Sequence, residues 1–177
     1  ELAAMTWSLD QNVGKLINKL EQLGIRDNTL IYFLSDNGGA HNNLSTNGPL
    51  KGWKGNKFEG GHRVPFIISY PNEIKGGVKY NGLTSSLDIF ATSISAAKIS
   101  KPENLILDGV NIIPYLKGEQ QGAPHKQLFW RKLEESAARM GDYKTIHLDN
   151  FGSVMYNLNK DLGETNDLSK TELEKFN

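Results

Sequence analysis

Apolar residues recur at three- and four-residue steps along the first stretch of the chain: Leu2, Met5, Leu9, Val13, Leu16, Leu20 and Leu23, with Ile17 beside them. That period is the mark of an amphipathic helix, and Gly24 suits the left-handed position that ends one. The pattern predicts a helix over residues 2–23 whose apolar face packs on a sheet. Burying each such leucine would be worth about 1.5–3 kcal/mol. Asp27-Asn28 then turns the chain into Thr29–Leu34, an unbroken run of strand formers bounded by turn residues, which reads as a buried strand. A second such run spans Val64–Tyr70. Together these elements fit an α/β layer arrangement.

After Pro71 the sequence NEIKGGVKYNG is polar and glycine-rich and predicts a loop or irregular hairpin. Ser85 to Asp88 reads as a helix start, with Leu87, Phe90, Ile94 and Ala97 as its apolar stripe. Lys101-Pro102 ends it, and Val110–Leu116 forms a short apolar helix stopped at Gly118. The character changes near Gln120, where QQGAPHKQ is linker-like. Beyond it lie four short extended runs: Gln127–Arg131, Ser136–Met140, Tyr143–Leu148 and Ser153–Leu158. Gly141-Asp142 and Asp149-Asn150 separate the last three, which suggests an antiparallel meander. Thr171–Phe176 adds a final helical turn. The expected organisation is an α/β portion over residues 1–119 and a small antiparallel-sheet subdomain with a terminal helix over 120–177.

Hydrophobic residues make up 38% of the 177, enough for a core but below the usual share. That is expected of a piece whose apolar faces meet more protein. Twenty basic and twenty acidic residues leave no net charge, so electrostatics gives no reason to propose nucleic acid or an anionic membrane as partner. No apolar run is long enough to predict a membrane span. The opening ELAAMTWSLD lacks the basic start and apolar segment of a signal peptide, and a first residue other than Met suggests a cut from something longer. The absence of cysteine excludes disulfides and thiolate metal sites.

The candidate chemistry sits in residues 35–63. The first apolar run stops at Ser35-Asp36-Asn37-Gly38-Gly39, an acid and an amide at a strand's carboxyl end, where open α/β sheets bind ligands. Both side chains offer oxygen, which hard cations such as calcium prefer. By itself such a triplet is most often only a turn. Lys54 follows in a loop with Gly48, Gly52 and Gly55, a compact positive charge for an anionic oxygen. Lys51 and Lys57 are its rivals. His41 and His62 flank the stretch, and a histidine near a charged loop can act as a general acid. His125 and His147 are read as surface or packing residues. Arg63 is read as a structural ion-pair partner. Glu59 with Gly60-Gly61 is read as shaping the Lys54 loop by close backbone approach and a buried hydrogen bond. Asn43-Leu44-Ser45 fits the glycosylation triplet by coincidence, and no P-loop triplet occurs.

The stretch SDNGG after an apolar strand, followed by NGPLKGWKGNKFEGGHRVPF, resembles the sulfatase family of the alkaline-phosphatase-type superfamily. MTWSLDQNVGKLINKLEQLGIRDNTLI is similar to the helix leading into that strand, LDGVNIIPYLKG to the family's late helix, and DLGETNDLS to its closing turn. The resemblance implies an α/β sheet-and-helix layer followed by the small antiparallel sheet. It implies that Asp36 and Asn37 bind the active-site calcium, and that Lys54 binds a sulfate oxygen and serves catalysis. The family's principal catalytic histidines lie upstream of these residues, and His41 is read from its place near the charged loop as lining the substrate pocket. Lys51 stands where many members carry arginine. It implies as partners a sulfated sugar or aryl sulfate and the amino-terminal half of the same protein, and a periplasmic or secreted location. The family's nucleophile, a formylglycine made from the first residue of C/S-x-P-x-R, has no counterpart: there is no cysteine, and no serine here precedes a proline and arginine at that spacing. The two early calcium aspartates are likewise unmatched. These residues are therefore expected to be the carboxyl-terminal portion of a sulfatase, to bind calcium weakly or not at all by themselves, to turn over no substrate alone, and to self-associate through exposed sheet edges. The alternatives are a related phosphate or phosphonate ester hydrolase, or a non-catalytic truncated piece.

Overall fold

A computed structural model of the chain describes residues 1–176. In chain order the helices and strands are α1 (Leu2–Gln22), β1 (Ile31–Leu34), α2 (Glu59–His62), β2 (Phe66–Ser69), α3 (Asp88–Ala96), α4 (Ile113–Leu116), β3 (Gln127–Lys132), β4 (Glu135–Met140), β5 (Tyr143–Leu148), β6 (Gly152–Asn157) and α5 (Leu173–Phe176). β1 and β2 pair with each other, and β3-β4-β5-β6 form a four-stranded sheet. The mixed α/β class and the meander stand as the sequence predicts. Contacts gather the chain into two compact units, Glu1–Phe33 with Ile67–Pro124, and Leu34–Phe66 with His125–Asn177.

In the first unit, α1 ends as the glycine signal requires. Gly24 takes φ +67°, its N–H donates to Glu21 O, and the Ile25 N–H reaches back to Leu20 O at 3.1 Å. Those two bonds satisfy carbonyls that a helix end leaves open. The apolar face of α1 departs from expectation. No residue of the helix is buried, and Leu2, Met5, Leu9, Leu16 and Leu23 are all exposed, Met5 by 65%. Only Val13, Ile17 and Leu20 are half-covered. The amphipathic pattern made the helix, but the described residues do not cover its face.

α3 is also turned from its expected stripe. Leu87 and Phe90 are each 55% exposed, whereas Asp88, Ala91 and Thr92 are buried. The reason is polar. Asp88 Oδ1 accepts the Val110 N–H at 2.9 Å and Oδ2 the Ser85 N–H at 2.8 Å, while Thr92 Oγ1 accepts the Ile112 N–H at 3.1 Å. Satisfying these backbone groups fixes the helix's rotation, and Gly109 lets Leu87 O approach where a Cβ would lie 2.0 Å away. Ile112 and Ile113 are buried in this unit, as are Ile74 and Ala91.

In the second unit the meander register pairs Ala137 with Ile146 and Ile146 with Val154. Strand alternation places Trp130, Ala137, Ile146 and Val154 on one face. Ala137, Ile146, Tyr156 and Leu158 are its buried cluster, with Phe58, Trp130, Leu148 and Val154 packed against them. Lys144 occupies the same core face of β5 and is completely buried. Its partners are described below.

The uncovered α1 face and the β3 edge of the meander predict association, whereas the β6 edge is capped where the Met155 N–H donates to Asp167 Oδ1 and Met155 O accepts the Leu168 N–H. Light scattering of the 177-residue chain should return a mass above that of the monomer. Leu9→Glu combined with Leu16→Glu should lower it. A monomeric parent chain would refute the expectation.

Candidate active site

The residues singled out in the sequence fall in the second unit, on a loop assembly running from Ser35 to Arg63. Its joints are mostly backbone. Ser35 Oγ donates to Asn37 O at 2.7 Å, and Asn37 Nδ2 to Gly38 O at 2.9 Å. The Gly38 N–H donates to Gly61 O at 3.0 Å. A Cβ on Gly38 would sit 1.7 Å from Gly60 O, and one on Gly61 would sit 2.2 Å from Asn56 O. Glycine is required at both places because backbone meets backbone. Asn47 is the hub: its Oδ1 accepts the Gly39 N–H at 2.7 Å, and its Nδ2 donates to Gly39 O at 3.2 Å and to Gly52 O at 3.0 Å. The Lys54 N–H closes the assembly on Gly39 O at 3.1 Å. The Asp36-Asn37 turn and the Lys54 turn are thus stitched together through Gly38 and Gly39.

The three loop lysines differ in their surroundings. Lys51 Nζ donates to Glu164 O at 3.0 Å and lies 4.3 Å from the centre of the Phe58 ring. Lys57 is buried with its ammonium 4.0 Å from Glu135 Oε2, and that burial lowers its pKa. Lys54 is exposed between Gly52 and Gly55, whose positive φ values of 86° and 92° bend the backbone around it. Among the described residues its ammonium has neither a carbonyl acceptor like that of Lys51 nor an ion pair like that of Lys57. Asp36 is exposed and Asn37 half-buried. His41 starts a 3-10 turn, His41–Asn43, and its ring meets Trp53 edge-on at 4.8 Å, one residue from Lys54. His62 goes elsewhere. It stacks on Trp130 at 4.3 Å, with Nε2 3.3 Å from Lys144 Nζ and 3.5 Å from Glu59 Oε1.

His62 thereby joins a buried charge network centred on Glu59. Glu59 Oε1 accepts Lys144 Nζ at 2.9 Å, and Oε2 accepts Arg139 Nη1 at 3.2 Å and Arg63 Nη1 at 3.5 Å. The Glu59 N–H donates to Glu164 Oε2 at 2.7 Å, and Lys144 Nζ also lies 3.0 Å from Glu164 Oε1. Burial opposes ionisation of Glu59. The His62 hydrogen bond and the charges of Lys144 and Arg139 outweigh it and hold the carboxyl at about 2. At Glu164 burial wins over Lys144 and the Glu59 N–H, and its carboxyl is pushed up. Glu59 shapes the loop as the sequence suggested. Its partners Lys144, Arg139 and Glu164 lie 80 or more positions away along the chain, and no local pattern pointed to them. A separate shallow groove in the meander, lined by Phe129, Arg131, Ser136, His147 and Ser153 among others, contains none of the expected site residues.

The family model described as Sulfatase matches residues 3–99, and that described as N-sulphoglucosamine sulphohydrolase, C-terminal, matches residues 52–177. The chain belongs to the sulfatase family. The uncharacterized sulfatase YdeN of Escherichia coli (strain K12) is 39% identical over 128 residues, covering 72% of this chain and 23% of that protein. Human steryl-sulfatase is 40% identical over 129 residues, covering 68% of this chain and 22% of that protein. Among solved structures, Ps i-CgsB in complex with k-i-k-neocarrahexaose superimposes with a TM-score of 0.89 at 32% identity, over 98% of this chain and 40% of that one. The chain spans under a quarter of the length of these two curated relatives. Among its described residues, no helix is long and apolar enough to cross a membrane.

The donor chemistry at Asp36-Asn37 suits a calcium ion as a partial set. Asn37 Nδ2 is spent on Gly38 O, so its oxygen is the end left to accept a cation beside the Asp36 carboxylate. Among the described residues no group of three or more His, Cys, Asp or Glu side chains is arranged to hold a metal ion, so further oxygens would have to complete the shell.

The charge network contributes to the acid stability of the chain. Glu59 ionises at about 2 against an ordinary 4.5. A folded-state pKa below the unfolded one gives stability that is present above pH 4.5 and lost as pH falls toward 2. The loss is on the order of 3 kcal/mol at 1.36 kcal/mol per unit. Glu164 works in the opposite sense, because protonating a carboxyl whose pKa is raised relieves its burial. Glu59→Gln should therefore flatten the acid limb of unfolding free energy against pH, measured by urea denaturation. An unchanged slope would count against the network.

Proposed function

We propose that the polypeptide containing these residues is a calcium-dependent sulfatase hydrolysing sulfate esters, and that this portion supplies two metal ligands and the sulfate-binding lysine. The observation that carries the reading is the stitching of the Asp36-Asn37 turn to the Lys54 turn through Gly38, Gly39 and Asn47. It keeps two hard oxygens and one exposed ammonium on a common backbone scaffold. In this reading Asp36 and Asn37 would hold the calcium, which when bound acts as a Lewis acid toward a sulfate oxygen. Lys54 binds a second sulfate oxygen and offsets the negative charge that develops on the transferred group and the leaving oxygen. A fixed cation aimed at developing charge is among the stronger catalytic effects available to a protein. His41, braced by Trp53, lines the substrate side of Lys54. The nucleophile comes from residues other than these 177.

Sulfate rather than phosphate is favoured because both curated relatives named above are sulfatases. A sugar rather than an aryl alcohol is favoured by the likeness to a protein crystallised with a hexaose. A periplasmic or secreted location belongs to the same reading.

The polypeptide that contains residues 1–177 should release sulfate from a sulfated oligosaccharide and from an aryl sulfate in a calcium-dependent manner. Lys54→Ala should lower kcat/KM about 100-fold, the scale for removing one donor from a preorganised site. Asp36→Ala should raise the calcium concentration needed for half-maximal activity. The 177-residue chain alone, with calcium added, should show no turnover above its own Lys54→Ala variant. Full activity in Lys54→Ala would overturn the assignment.

A further inference from the structure

We propose that Lys144 and Glu164 are positioning residues for Lys54, acting through Glu59 and the glycines that follow it. The proposal rests on the reading of Lys54 as the sulfate-binding lysine. Neither residue is exposed, so neither reaches the surface where the Lys54 ammonium lies. Their effect has to pass through the loop between them and it.

The path is short and continuous. Glu164 grips the loop on both sides of Lys54. Its backbone oxygen accepts Lys51 Nζ at 3.0 Å, and its Oε2 accepts the Glu59 N–H at 2.7 Å. The Gly60 N–H then donates to Lys51 O at 2.7 Å, closing residues 51–60 into a ring with Lys54 inside it. Gly60 makes that closure possible: a Cβ there would stand 2.4 Å from Gly52 O and 2.6 Å from Lys51 O. Lys144 locks the clamp from the sheet, with Nζ 2.9 Å from Glu59 Oε1 and 3.0 Å from Glu164 Oε1. An ammonium is needed there because two carboxylates this close repel each other when buried without a cation. The meander thus supplies a rigid base for a glycine-rich loop that would otherwise be among the more mobile parts of a protein. Rigidity matters at this loop because misplacing a charge-stabilising group by about 1 Å can cost on the order of 100-fold in rate.

Two measurements on the same 177-residue chain test the proposal. Hydrogen exchange would compare Lys144→Met, the conservative Lys144→Arg, and Ile146→Ala, which weakens the meander core without touching the network. In Lys144→Met the amides of Lys54, Gly60 and Gly61 should lose at least tenfold more protection than the strand amides of β4 and β5. In Ile146→Ala all should fall together, and Lys144→Arg should restore part of the loop's protection. The second measurement is the rate of Lys54 acetylation with inorganic sulfate as protectant. Sulfate should slow it in the parent chain, and Lys144→Met should need about tenfold more sulfate for the same protection. If Lys144→Met does not fold, Glu164→Gln, which keeps an oxygen for the Glu59 N–H, takes its place in both arms. Loop protection that is unchanged, or that falls only in step with the strands, overturns the positioning role. A parent chain whose Lys54 sulfate does not protect overturns the sulfate-binding reading instead, and the exchange arm then decides the positioning role by itself.

Discussion

The second unit depends on one carboxylate that stays ionised out of reach of water. Glu59 is 1% exposed, and taking such a charge from solvent costs several kcal/mol unless it is paired and fully hydrogen-bonded. Lys144, Arg139, Arg63 and His62 all face it. Each comes with geometric conditions. Lys144 must point to the core face of β5, Arg139 must stand beside it on β4, and His62 must lie flat on Trp130. The charge of one residue therefore fixes the register of two strands and the path of the loop that carries the candidate site.

The loop itself is built by backbone contact more than by side-chain packing. Gly38, Gly60 and Gly61 stand where any Cβ would collide with a carbonyl. Asn47 substitutes for a missing strand partner by bonding Gly39 on both its N–H and its carbonyl. Such a design needs little apolar surface, in keeping with the modest hydrophobic content of the chain. It also explains how an exposed lysine can be held in place. The side chain of Lys54 is free to meet a ligand, while the two peptide units before it are tied to Gly39, Asn47 and Asn56.

What the sequence revealed divides along the range of the interactions. Local signals were legible. The Gly24 helix stop, the run ending at Leu34 and the three hairpin-linked strands from Ser136 onward all rest on neighbours a few residues apart. The β3–β4 turn was not legible, because Leu133 takes a φ of +53° with no glycine or asparagine to announce it. The rotation of α3 was misread because periodicity counts apolar residues, whereas Asp88 and Thr92 turn inward to meet backbone donors at Ser85, Val110 and Ile112. Around the candidate site, Asp36, Asn37, Lys54 and Glu59 were visible in a contiguous motif. Lys144 and Glu164 were not. A lysine in a strand is ordinarily a solvent-facing residue, and only the fold reveals the two carboxylates waiting for it.

Those two carboxylates also explain why an apolar residue does not stand at position 144. A methionine would suit the face shared with Ala137 and Ile146, and by area alone it would be the better choice. It would leave Glu59 and Glu164 buried together with Arg139 and Arg63 as the cationic partners, both of them at Glu59. Breaking one partner out of such a group costs roughly 3–5 kcal/mol, more than a buried side chain of that size returns. Replacing all three by apolar groups would avoid the cost, but it would also remove the acceptor that holds the Glu59 N–H and with it the closure of residues 51–60. The network is therefore poorly explained as a source of stability and well explained as a device for placement: it spends desolvation energy to give one loop a single path.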